Sequence, residues 1–258
     1  MASHPGQHEA AMTPSSSMHE TIPTYTEATS TSYSSPSIAP PPPLVLQPTP
    51  ADEPPAYALL DETQTTFSIH GTFIHNASGP VYQLSSPLDA RGAYFRLRRL
   101  RAKEAQQALS APLAFDRTYI LYEASDYPLL HNEYHIIGKR RQCLPGVLEL
   151  VLKRNKWRVT HVARPGLKGT EILTCKKGGA LGSSRMNWSK EVQETLWKDE
   201  RGRVVATEML KEGEGGEWVP TVDLSRELDQ TWREMVVMVW ATRLWVAFGM
   251  ERTVLEGG

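Results

Sequence analysis

The stretch "REMVVMVWATRLWVAF", Arg233–Phe248, decides the fold. From Met235 onward apolar residues occupy every side of a 3.6-residue period. Val236, Val239 and Leu244 recur at helical spacing, and Val237, Met238 and Trp240 fill the positions between them, leaving no continuous polar face. The strongly apolar part, Met235–Phe248, is about 14 residues. At 1.5 Å per residue it rises roughly 21 Å, short of the ~30 Å hydrocarbon core of a bilayer. It also contains Arg243. No transmembrane span is therefore expected. A helix with no polar face needs protein on all sides. In strand-rich company, a closed barrel with the helix through its centre meets that need. The reading predicts deep burial of Val236, Val239, Trp240 and Leu244. It places the helix over about residues 226–248, with Glu227 and Asp229 favourable at its positive end and Gly249 as the residue that stops it.

The company is indeed strand-rich. "TTFSIHGTFIH" puts Phe67, Ile69 and Phe73 at even spacing, so one face is apolar. "PVYQLSS", "AYFRLRRLR", "RTYILYEA" and "EYHIIGKRR" follow, separated by Gly, Pro, Asp and Asn. "GVLELVLKRNKWRVTHVAR" reads as a hairpin. Leu148, Leu150 and Leu152 alternate on the way up, Arg154-Asn155 turns, and Trp157, Val159 and His161 return. "TEILTCKKGG" is another strand. In "ETLWKDERGRVVATEML", Leu196 leads in, Asp199–Gly202 turns, and Val204 and Ala206 lead out. The count is roughly eight to ten strands, the mark of a sandwich or barrel. "AKEAQQAL", Ala102–Leu109, allows one short helix. The polar glycine loop "KEGEGGEW" is followed by "VPTVDLSRELDQTW", read as the run-in to the long helix.

Residues 1–56 differ in kind. The segment is rich in Ser, Thr, Pro and Ala, and it cannot bury enough apolar surface to offset its ordering entropy, so a disordered tail is expected. At its edge Pro54-Pro55-Ala56-Tyr57 matches the PPxY ligand of WW domains, with Pro54, Pro55 and Tyr57 as the contacting residues. The domain is expected over 57–250 and a flexible end over 251–258.

Charge is unevenly distributed. Residues 1–90 hold 8 acids and no Lys or Arg. Residues 91–190 hold 20 Lys/Arg against 7 Asp/Glu, a net of +13, and residues 191–258 have a net of −6. The basic middle suits an anionic partner: a phosphoinositide headgroup, a nucleic acid, or the chain's own acidic parts. Outward Lys and Arg kept for solubility and edge protection would look the same. Two cysteines, Cys143 and Cys175, give no disulfide framework and no zinc spacing, which points to a reducing, cytoplasmic setting.

Alternating strands, the late hairpin "WKDERGRVVATE" (Trp197–Glu208) and the terminal "VVMVWATRLWVAF" helix resemble the tubby C-terminal, LURP-one and phospholipid-scramblase superfamily over about residues 57–250. The tail with "PPAY" and "DETQTTFSIHGTFI" resembles fungal proteins of this kind. The resemblance implies a twelve-stranded closed antiparallel β-barrel enclosing a C-terminal hydrophobic α-helix. It also implies phosphoinositide binding through basic barrel side chains, without fixing which ones. Lipid scrambling is not carried over, because the chain lacks a cysteine-rich palmitoylation segment and a D-x-[DN]-x-[DN]-G calcium loop.

The residues themselves offer three basic clusters. They are Arg96, Arg98, Arg99 and Arg101; Lys139, Arg140 and Arg141; and Lys153, Arg154, Lys156 and Arg158. Basic residues at i and i+2 of a strand share a face, and Arg grips phosphate oxygens in pairs. The candidates for an anionic lipid at a cytoplasmic membrane face are Arg96, Arg98, Lys139, Arg140, Arg141, Lys153, Arg154 and Lys156. No enzyme motif, cofactor fingerprint or catalytic constellation is found, so a non-catalytic module is expected, with no cofactor. No metal site is expected either: His131 and His135 are four apart but sit in a strand pattern and lack H-E-x-x-H. No aromatic-interleaved basic pattern or helix-turn-helix points to nucleic acid. The rival reading is an adaptor that works through the PPxY tail.

Overall fold

The computed structural model describes residues 63–127, 132–176, 194–213 and 215–256. The tail, its PPxY motif and His131 lie outside them. Twelve strands are present among the described residues: β1 (Thr66–His70), β2 (Phe73–Asn76), β3 (Gly79–Leu84), β4 (Tyr94–Arg99), β5 (Ile120–Asp126), β6 (Glu133–Gly138), β7 (Val147–Lys153), β8 (Lys156–Val162), β9 (Thr170–Lys176), β10 (Thr195–Asp199), β11 (Val204–Glu212) and β12 (Trp218–Leu224). Two α-helices accompany them, α1 (Ala102–Ala108) and α2 (Gln230–Glu256). Each strand pairs antiparallel with its sequence neighbours, and β12 returns to β1 through Phe67 opposite Val222, which closes the barrel.

The alternation expected from the residues sets the inward faces. Phe67, Ile69, Leu148, Leu150, Trp157 and Val159 are buried. In β10 the inward residue is Trp197, fully buried, while Leu196 and Val204 are exposed. The hairpin between β7 and β8 turns on Arg154 (φ 50°) and Asn155 (φ 57°), and Gly202 (φ 77°) takes the left-handed position between β10 and β11.

Two expectations are corrected. The strand count is twelve, and one of the uncounted strands is β12, taken as the run-in to the helix. Val219, Thr221, Val222 and Leu224 are all buried, so both faces are covered and no two-residue period shows; Pro220 obscures it further. The helix begins at Gln230, not 226. Asp229 sits just before it and its carboxylate accepts from the backbone N–H of Trp232 at 2.9 Å, an N-cap that stops the helix from extending backward. Nor does the helix stop at Gly249. It continues to Glu256, because a lone Gly costs a helix only about 1 kcal/mol and does not break its hydrogen bonding.

Helix α2 threads the barrel. Met235 through Val246 are buried on every side, including Val236, Val239, Trp240 and Leu244 as expected. Trp245 stacks on Phe95 of β4 at 5.0 Å and 7°, and its indole N–H donates to the carbonyl of Ala90 at 2.8 Å. No helix among the described residues is long and apolar enough to cross a membrane.

Two charged side chains travel inside with the helix. Arg243 grips both carboxylate oxygens of Glu208 on β11, Nε to Oε2 at 3.0 Å and Nη2 to Oε1, and both residues are buried. Glu234 accepts from Arg99 of β4, with Nε to Oε1 at 3.0 Å, and from the Tyr82 hydroxyl of β3 at 3.3 Å. Burial, with the Glu234 carboxylate beside it, pushes the Tyr82 phenol well above its ordinary range. A buried charge is tolerated only when paired in this way.

Candidate functional site

The registers define the two ends of the barrel. Residues at the end of β6 lie opposite the start of β7, Ile137 facing Val147, whereas β7 finishes at the other end, Lys153 facing Lys156. The Lys139–Arg141 cluster and the Lys153–Lys156 cluster therefore sit at opposite ends and cannot form one patch. The eight basic candidates are therefore not one surface.

The first two clusters are largely spent on the fold. Arg98 is wholly buried. Its Nε donates to Gln83 at 2.8 Å and its Nη1 to Glu104 of α1 at 2.8 Å, so it pins α1 to the barrel wall and is not a surface ligand. Arg96 and Lys139 share Glu123 of β5, at 2.6 and 2.9 Å. Burial would raise the Glu123 carboxyl, but the two cations outweigh it and hold the group below the usual range. Arg101 bonds Glu104 at 3.3 Å and Asp116 at 3.2 Å, and its guanidinium lies 4.3 Å from the Tyr119 ring centroid. Arg140 donates to the carbonyl of Thr118 and lies 5.7 Å from the same ring. Arg141 is exposed.

The third cluster is different. Lys153 ends β7, Arg154 is in the turn, and Lys156 begins β8. On the far side of β8, Lys176 of β9 lies directly opposite Lys156, which itself lies opposite Lys153. Inward Leu150, Trp157 and Cys175 fix the alternation, so these lysines point outward. Three lysines thus form a row across three adjacent strands, roughly 10 Å wide at ~4.8 Å per strand. Among the described residues none of the four cations has a carboxylate within ion-pair distance. Arg158, the remaining member, is bound to Glu171 at 2.9 Å and drops out.

Both local choices work against stability. Like charges directly opposite on paired strands repel. A two-residue hairpin turn with both φ values positive favours Asn or Gly at its first position, and here an Arg occupies it at φ 50°. Local rules are broken in this way mostly where function demands it. Lys176 lay outside the sequence-stretch clusters because it is 20 residues further on; only the β8–β9 register brings it in. The arrangement is an open cationic comb suited to an anion with several phosphates.

No chemistry of a reactive thiol accompanies it. Cys143 and Cys175 are buried, and burial pushes both thiols up, Cys175 to about 12. No protein-family model, curated protein or solved structure matches the chain.

Proposed function

We propose that the barrel is a non-catalytic module that binds anionic membrane lipid, of the phosphoinositide class, through the tip of the β7–β8 hairpin and Lys176. The observation that carries the reading is the row Lys153–Lys156–Lys176 with Arg154, four cations without a carboxylate partner among the described residues. A lumen filled by α2 supports a role for the outer surface over one for the interior. Membership of the tubby-like, LURP-one-like group is part of the same proposal, supported by the helix threaded through a closed barrel. The setting is the cytoplasmic face of a membrane.

Co-sedimentation with phosphatidylcholine vesicles, with and without phosphatidylinositol bisphosphate, tests it. Binding should need the phosphoinositide, fall with salt, and be lost in Lys153→Glu/Lys156→Glu. Equal binding to neutral vesicles, or full binding by that variant, would reject the tip as the site. Soluble inositol phosphates that bind as tightly as vesicles would shift the ligand from membrane to free phosphate. A tail reading is compatible: Pro54, Pro55 and Tyr57 stand just ahead of β1 and would recruit a WW-domain protein. Pulldown by a WW domain that survives Tyr57→Ala would reject it.

A further inference from the structure

The geometry points to a divalent transition-metal site on the outer face of β6 and β7, made by Glu133, His135 and Glu149. Glu133 and His135 alternate on β6 with inward Tyr134 and Ile136, so both point outward. Glu149 of β7 lies directly opposite His135. One donor atom from each of the three lies within 4.8 Å of the other two. His135 Nε2 is 2.8 Å from Glu133 Oε1. All three are partly buried, and the Tyr127 ring packs edge-on to His135 at 5.0 Å.

What singles the cluster out is a deficit of positive charge. Among the described residues, every other Asp or Glu that is not exposed forms an ion pair with Arg or Lys, Glu104, Glu123, Asp199, Glu208 and Glu234 among them. The two without one, Glu133 and Glu149, flank the same imidazole. Two half-buried carboxylates left uncompensated by Lys or Arg cost free energy unless a cation joins them.

The donor set specifies the cation. One imidazole nitrogen and two carboxylate oxygens suit Zn²⁺ or Mn²⁺ far better than Ca²⁺ or Mg²⁺, which take oxygen ligands. Around a tetrahedral ion with ~2.0 Å bonds the donors sit roughly 3.3 Å apart, which the glutamates reach by side-chain rotation. The ion takes the place of the direct contact between Nε2 and Oε1, and three protein ligands leave at least one position for water. Rigid neighbouring strands hold the ligand backbones in place. This site is separate from the hairpin tip and does not rest on the lipid reading.

The test is calorimetric titration of chelator-treated full chain with Zn²⁺ and Mn²⁺, alongside Glu149→Gln and His135→Ala. One Zn²⁺ should bind per chain and raise Tm. Each variant should weaken binding by more than roughly tenfold, since even outer-shell partners of a metal site are worth 10–100-fold. Visible absorption on Co²⁺ addition should report a nitrogen-containing site in the wild type alone, and excess Ca²⁺ should not displace Zn²⁺. Absence of binding by both ions would overturn the inference. So would wild-type affinity in folded Glu149→Gln, or displacement of Zn²⁺ by Ca²⁺.

Discussion

Arg243 and Lys156 carry the same charge and could hardly be placed more differently. Arg243 is enclosed with the helix inside the barrel, doubly bonded to Glu208. Lys156 stands on the outer wall between two other lysines and has no acidic partner among the described residues. Between these extremes come Arg98, buried under α1, and Arg96 and Lys139, which share Glu123 on the surface. The contrast teaches that a cation's role follows from what faces it. A paired cation is spent on holding the fold together; an unpaired one, kept against repulsion, is available for something else.

The comparison can be broken by measuring stability and binding on the same variants. The largest stability loss should come from Arg243→Ala. Removing one partner of a buried ion pair costs about 3–5 kcal/mol, because Glu208 is left charged in the interior. Urea denaturation would measure it. Exchanging both partners, as Arg243→Met/Glu208→Leu, should cost far less; an equal loss would mean that packing, not charge, dominates there. Arg98→Ala should follow at about 2 kcal/mol, the worth of hydrogen bonds to a charged group plus the loosening of α1.

Glu123→Gln sharpens the middle of the range. It should cost no more than about 1 kcal/mol at neutral pH, since Arg96 and Lys139 are partly exposed. Because Glu123 is held below its unfolded-state range, its contribution is present above the ordinary carboxylate pKa near 4 and is lost as pH falls through the lower folded value. The difference from wild type should thus shrink as acid melts are taken further below the ordinary carboxylate range; a constant difference would show that the charge is irrelevant. The smallest stability change is expected at the tip. Lys153→Glu/Lys156→Glu should stay within about 0.5 kcal/mol of wild type, as for ordinary surface positions, while vesicle binding is lost. Asn155→Gly, which suits its φ of 57°, should stabilise slightly. A tip variant that loses stability and binding together would collapse the distinction.

The fold was legible where one face of a strand met water. Phe67 and Ile69, or Leu148 and Leu150, announce their strands by alternation. The apolar helix was legible from the absence of any polar side. What escaped was whatever depends on partners distant in the chain. β12 is covered on both faces, so no period marks it. The pairing of Arg96 with Glu123, 27 residues on, takes that cation out of the basic run. Lys176 joins the tip, and Glu149 joins His135, only through strand register. A run of like residues along a chain reports composition; a site is a matter of cross-strand company.

The helix that fills the lumen also has a consequence in time. Every one of the twelve strands leaves the ribosome before α2 does. Until then the inward rows of Leu, Trp and Tyr have nothing to pack against, and β1 must wait for β12, some 150 residues later, before the wall can close. Such long-range pairing is slow to form. Nascent chains halted before Gln230 should therefore be sticky and chaperone-bound, and emergence of α2 is the event that commits the domain to its folded state.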